Sequence, residues 1–309
     1  LNLFTALLLF YLLYVLIVEK STELSLTLEF TKGAVFIFLL VLGLGTLNWY
    51  LETVKWQELM RQVHRIDRKT AVKSILLGIS SNLILPNRTG DLAGRLRYIP
   101  KEKVWEALYI NFFAACSQLL LTFLMGLIAI FFLSDQLHIL LTQHQFLVAL
   151  FIGAAILLSV FLYLRSNMLS RLFMWFKGKE KVEGLPSFDL IQRIRTLILS
   201  AARYFVFLIQ FYLILTALGL NISLLESSYS LAVVFFINSF LPSNMLLELA
   251  SKSAVVYLVF DVLSMDPMLG VSAMVLLWLI NIAIPSALGI VLLKDIKWIS
   301  PKNVQNQKI

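Results

Sequence analysis

Apolar residues run in long blocks along this chain rather than alternating. Such blocks cover 3–18, 34–51, 104–133, 146–164, 196–218 and 268–293. A helix needs about 20 apolar residues to cross a bilayer, whereas a barrel strand needs about 9–11 residues of alternating polarity. The pattern therefore predicts membrane-spanning helices. Three shorter blocks, at 71–86, 228–242 and 253–263, are too short for a comfortable crossing and flank the polar motifs described below.

Composition narrows the class further. Of the 309 residues, 60% are hydrophobic and 14% charged, with a mean hydropathy of +0.86. Soluble domains average roughly 45–50% apolar and about 25% charged. There is too little polar surface here for a soluble enzyme, a disordered chain or a nucleic-acid-binding domain. The single cysteine, Cys116, excludes an internal disulfide. His64, His138 and His144 read as solvated loop residues, and no metal or cofactor site is expected. The block 3–18 lacks a basic flank and a small-residue cleavage site, so it reads as a retained span.

Charge sets the topology. Lys and Arg number five in 52–70, five in 87–103, seven in 165–195 and four in the tail from Lys294; 134–145, 219–227 and 261–267 hold none. The positive-inside rule places the four basic connections in the cytoplasm. Segments 52–70 and 87–103 share a side only if 71–98 enters the membrane, turns near Pro86 and Gly90, and returns. Likewise 228–263, turning near Pro242, enters and leaves from outside. The expectation is an all-α polytopic protein of the plasma (inner) membrane, with six full spans, two re-entrant hairpins and both termini cytoplasmic. The alternative, in which each hairpin arm is a short full span, breaks the charge rule at 87–103.

The hairpins resemble one another. At an offset of 156, Ile66, Ser74, Asn82, Leu85 and Pro86 fall on Ile222, Ser230, Asn238, Leu241 and Pro242. One residue later in register, Asp91-Leu92-Ala93-Gly94-Arg95 falls on Glu248-Leu249-Ala250-Ser251-Lys252. This predicts one integral membrane domain (1–309) containing two inverted repeats, about 34–133 and 190–293, with 3–18 and 146–164 as extra spans. Inverted repeats with broken helices build transporter sites near the midplane, because irregular backbone survives there only beside protein or a water-lined cavity.

Asp91 with Arg95, and Glu248 with Lys252, stand four apart, which stacks acid over base on a helix. Each pair could simply hold a turn, yet a charge at membrane depth costs roughly 2.5–3.5 kcal/mol on insertion scales, which favours function. Arg88 and Arg97 lack charged counterparts in the second copy, and guanidinium forks suit a phosphate head group. For Arg97 the competing reading is contact with anionic surface lipid. Asn82 and Asn238 either line the site or bond carbonyls freed by the prolines. The candidate substrate-binding set is thus Asn82, Arg88, Asp91, Arg95, Arg97, Asn238, Glu248 and Lys252. Arg203 reads as either a snorkelling residue or a cavity cation, and Asn111 and Asn281 as interhelical hydrogen bonders. Trp49, Trp56, Trp105, Trp175 and Trp298 read as an interfacial belt.

The run Ser81-Asn82-Leu83-Ile84-Leu85-Pro86-Asn87-Arg88-Thr89-Gly90-Asp91, followed by Arg95, resembles the first motif of the lysylphosphatidylglycerol synthase transmembrane region, or flippase-like membrane domain. Asn48-Trp49 to Lys55-Trp56 is similar to that family's tryptophan-bearing end of an early span. The second motif departs: Pro242-Ser243-Asn244-Met245-Leu246-Leu247-Glu248 keeps the proline and acid but lacks the usual glycines. The resemblance implies movement of a polar-headed lipid between leaflets. Only 16 residues follow Leu293, so a stand-alone membrane part without the soluble aminoacyltransferase domain is expected.

The leading expectation is a translocase for a phospholipid or lipid-linked substrate, in contact with anionic lipids, and not an enzyme. The alternatives are a membrane-embedded transferase using Asp91 or Glu248 as base, and a subunit whose loops dock a lipid-modifying or glycan-assembly enzyme.

Overall fold

The computed structural model describes residues 32–82, 89–133, 165–177, 185–241 and 245–294, with isolated positions between 153 and 163. Span 3–18, most of 146–164, and the residues Pro86, Arg88 and Pro242 lie outside the described residues. The described part is helical: α1 (Lys32–Met60), α2 (Arg68–Ser81), α3 (Thr89–Leu96), α4 (Val104–Phe132), α5 (Ser166–Lys177), α6 (Leu190–Ala217), α7 (Leu224–Asn238), α8 (Met245–Val262), α9 (Pro267–Trp278) and α10 (Ile284–Lys294). Four segments are long and apolar enough to cross a membrane: Val35–Met60, Lys101–Phe132, Leu190–Ala217 and Pro267–Val291. They coincide with four of the six expected spans.

Two boundaries differ from the sequence reading. The apolar run ends at Leu51, but α1 continues to Met60, so Lys55 is not part of a basic connection; it is buried at 2% exposure. Arg193 likewise lies in the first turn of α6, buried, its Nε donating to the Phe188 carbonyl at 2.9 Å. The connection 61–67 keeps the exposed Arg61 and Arg65, and Arg68 and Lys69 follow at the start of α2, also exposed. The last span is interrupted by a π-helical turn, Leu279–Ala283. Pro285 has no N–H to offer the Asn281 carbonyl, and the Ile284 N–H reaches back five residues to Leu279.

At 1.5 Å per residue, α2 is about 21 Å long and α3 about 12 Å, well short of the ~30 Å hydrocarbon layer. The arms α7 and α8 reach about 22 and 27 Å, so the second hairpin has the longer arms. Each first arm begins with a side-chain cap: Asp67 accepts from the N–H groups of Lys69 and Thr70, and Ser223 forms a capping box with Glu226.

In lipid, helices associate through close packing of small residues rather than through a hydrophobic driving force. The first hairpin depends on this. A Cβ on Gly94 would sit 2.5 Å from the Leu77 carbonyl carbon and closer still to Gly78; one on Gly90 would meet the Ser81–Asn82 backbone. Gly90, expected at the hairpin turn, is instead in the first turn of α3, where its missing side chain lets the arms touch.

The packing follows a recurring pattern. α1 lies along α6; α4 packs on α7, and α10 packs on α2. The two latter contacts use glycine: Gly126 of α4 against Phe236 of α7, and Gly289 of α10 against Leu76 and Ser80 of α2. One buried core gathers Trp56, Met60, Ile75, Tyr109, Phe113 and Phe188; the other gathers Tyr204, Phe211, Leu231, Val256, Phe260 and Met274.

Candidate functional site

The Asn48–Leu59 part of α1 carries polar and large groups at helical spacing. Asn48, Glu52, Lys55, Trp56 and Leu59 recur at i, i+4, i+7, i+8 and i+11, and all are buried. This face meets α3 and α6. The Glu52 carboxylate receives cations from three helices. Arg95 Nη2 of α3 donates to Oε1 at 2.8 Å, Lys55 Nζ of α1 to Oε2 at 2.9 Å, and Arg203 Nη1 of α6 also binds Oε2. Arg95 Nε donates to Asp91 Oδ1 at 2.9 Å. Arg95 lies over the Trp56 ring at 5.2 Å and Arg203 over the Trp49 ring at 5.9 Å. Trp56 is therefore no interfacial belt residue: it is fully buried and forms the floor beneath Arg95.

A polar chain extends the cluster into the last span. Arg203 Nε donates to Asn48 Oδ1 at 2.8 Å, Asn48 Nδ2 to Asn281 Oδ1 at 3.0 Å, and Asn281 Nδ2 to Gln210 Oε1 at 3.1 Å. Gln210 Nε2 ends it on the Val41 carbonyl at 3.0 Å. Asn281 thus bridges helices as expected, from the π turn. On the other flank Lys55 Nζ reaches Ser200 Oγ at 3.4 Å, and Ser200 bonds Ser117 of α4 at 2.8 Å. Breaking a buried ion network by removing one partner costs about 3–5 kcal/mol, so Glu52 ties the hairpin to both spans strongly.

Asn82 caps the end of α2, and its Oδ1 accepts the Asp91 N–H at 2.9 Å, satisfying an otherwise orphaned donor in the first turn of α3. Asn238 Nδ2 donates to the Val234 carbonyl at 2.9 Å, one turn back in α7. Arg97 is exposed just beyond α3, away from the Glu52 cluster. In the second hairpin Lys252 Nζ binds Glu248 Oε1 at 2.6 Å and lies 5.2 Å from the Phe235 ring centroid.

Both acid–base pairs therefore form, but unequally. Arg95 is not merely neutralised by Asp91; it is shared with Glu52. Glu52, Trp56 and Gln210 were not among the expected candidates, and Arg203 joins the buried Glu52 cluster rather than snorkelling out of it. The signal that could have found Glu52 was the helical spacing of Asn48, Glu52 and Lys55, which continues the span past its last apolar residue. Among the described residues, no group of three His, Cys, Asp or Glu side chains could hold a metal ion.

The family described as lysylphosphatidylglycerol synthase TM region matches residues 3–289. No curated protein matches the chain.

Proposed function

Because the chain belongs to the lysylphosphatidylglycerol synthase TM region family, a membrane domain associated with lipid handling, we propose that it moves a lipid with a polar, phosphate-containing head group between leaflets. The observation that carries this reading is the position of Asp91 and Arg95. They are ionised side chains on a helix too short to span, coupled to two spanning helices through one carboxylate. A charge set of this kind at membrane depth belongs beside a polar ligand path.

The packing pattern supports two hairpins with the same role, as an inverted repeat would supply. The pair Gly126–Phe236 maps onto the pair Gly289–Ser80 by the offsets that relate the helix starts Val104 to Pro267 and Arg68 to Leu224. Each half's last span packs on the other half's first hairpin arm. Related hairpins entering from opposite faces could open one cavity alternately to each side. The reading takes the site to comprise Asn82, Arg88, Asp91, Arg95 and Arg97 with Asn238, Glu248 and Lys252, in the plasma membrane, with both termini cytoplasmic.

The test is leaflet-resolved transport of candidate phospholipids in vesicles reconstituted with the purified protein. Protein-dependent loss of lipid asymmetry that disappears in Arg95→Gln is expected. Equal rates in protein-free vesicles, for every phosphate-bearing lipid tried, would end this reading.

A further inference from the structure

Glu52 holds the hairpin cations in a manner that leaves charge over. Among the described residues of the cluster, Lys55, Arg95 and Arg203 face Glu52 and Asp91, which is three positive charges against two negative. Neither arginine presents both prongs of its fork to Glu52. Arg95 gives Nη2 to Glu52 and Nε to Asp91, while Arg203 gives Nη1 to Glu52 and Nε to Asn48. The indole Nε1 donors of Trp49 and Trp56, whose rings lie under these guanidiniums, are buried without an acceptor among the described residues. The cluster is rich in donors and short of one anion.

We infer that the Glu52 carboxylate is a resident stand-in for a lipid phosphodiester, which exchanges with it on Arg95 and Arg203 and so unlatches the first hairpin from α1 and α6. This inference rests on the transport reading above and adds to it a residue and a sequence of contacts. The exchange balances in charge. Glu52 retains Lys55, three residues along the same helix and 2.9 Å away, as a neutral pair. Arg95, Arg203 and Asp91 then sum to +1, which one singly charged phosphodiester neutralises. Its two free oxygens can accept from both guanidiniums, a geometry at least as favourable as the single-prong contacts they make with Glu52.

Access and consequence agree with this. Asp91 and Arg203 are the open edge of the cluster, with 24% and 12% of their side chains exposed, against 6% for Glu52. Glu52 is the carboxylate through which Arg95 of the hairpin is joined to Arg203 of α6. Once a ligand takes its place, the hairpin moves with the ligand and not with α1.

The test uses the whole chain in maltoside, with spin labels at Arg61→Cys and Ala93→Cys in a Cys116→Ser background; all three positions lie outside the cluster. Dihexanoyl phosphatidylglycerol is expected to produce, saturably, a longer distance between the label just past the end of α1 and the label on α3, and dihexanoylglycerol, which lacks the phosphodiester, is not. Glu52→Gln is expected to show the longer distance without ligand and to bind the probe about tenfold tighter, the factor of one charge-assisted hydrogen bond no longer competed for. Arg203→Gln is expected to weaken binding. An unchanged distance in the native-sequence protein at saturating probe overturns the inference, and that arm decides alone if Glu52→Gln fails to fold. Inorganic phosphate acting as well as the lipid overturns the assignment to a lipid diester. Vesicle transport without the ligand-dependent distance removes the exchange and leaves the transport reading standing. The distance change without transport removes the transport reading instead.

Discussion

Gly94→Ala adds one methyl group and should dismantle the first hairpin's hold on its spans. The new Cβ would lie 2.5 Å from the Leu77 carbonyl carbon, with Gly78 N and Cα nearer still. Carbon atoms rest at about 3.5 Å or more, so α3 must retreat from α2 by at least about 1 Å. Backbone atoms cannot rotate aside as a side-chain tip would. Carried through α3, that shift lengthens the Arg95–Glu52 contact from 2.8 Å to roughly 3.8 Å, outside hydrogen-bonding range. Overpacking of this kind costs about 1–3 kcal/mol before the broken contact is counted. Gly43→Ala is the control, because nothing lies within 4 Å of its added Cβ. Melting of detergent-solubilised protein and lipid transport in vesicles should both fall for Gly94→Ala and hold for Gly43→Ala. A Gly94→Ala protein that melts and transports like its parent would refute the close-packed hairpin and its coupling to Glu52.

Asp91→Asn with Arg95→Gln removes both charges while keeping hydrogen-bonding groups; melting should fall, because Glu52 loses Arg95, and transport should be lost in the protein that still folds, whereas retained transport would make the pair scaffolding. Glu180→Cys in a Cys116→Ser background should react only with reagents admitted to the cytoplasmic face, whereas labelling from outside intact cells would reverse the topology. Ser223→Ala should lower stability by about 0.5–2 kcal/mol through loss of the α7 cap, read as a drop in melting temperature. The Ser223 backbone N–H, then its side chain, hold the Glu226 carboxyl below its usual range. A depressed acid stabilises the fold above its unfolded value, about pH 4.3, and that contribution fades as pH falls through the lower folded value. The melting deficit of Glu226→Ala should therefore shrink on acidification; a deficit constant from neutral to strongly acid pH would contradict this.

The parts legible in the sequence were those encoded by local spacing. Apolar runs located the described spans, and the four-residue steps from Asp91 to Arg95 and from Glu248 to Lys252 identified both ion pairs. The centre of the cluster was hidden because Glu52 opens a polar stretch directly after an apolar run, which reads as a helix leaving the membrane. Only tertiary packing, which brings Arg95 and Arg203 onto the same carboxylate from positions 43 and 151 residues away, makes burial of Glu52 tolerable. The π turn was equally silent, since Pro285 announces a disruption but not that Asn281 will face Asn48 and Gln210.

The spacing of the Glu52 partners also bears on how the chain enters its membrane during synthesis. Lys55 emerges three residues after Glu52, so α1 can partition as an internally compensated pair. Arg203 emerges 151 residues after Glu52 on a helix that offers no nearby acid, and its insertion alone would cost roughly 2.5–3.5 kcal/mol. The early helix thus supplies a membrane-embedded counter-ion that waits for a later one. On this spacing the amino-terminal half is expected to act as a template for the insertion of α6. Glu52→Leu, which offers Arg203 no acceptor, should accordingly raise the share of chains with α6 misinserted, read by accessibility labelling of the segments that flank it, whereas Glu52→Gln, which keeps an acceptor, should still insert.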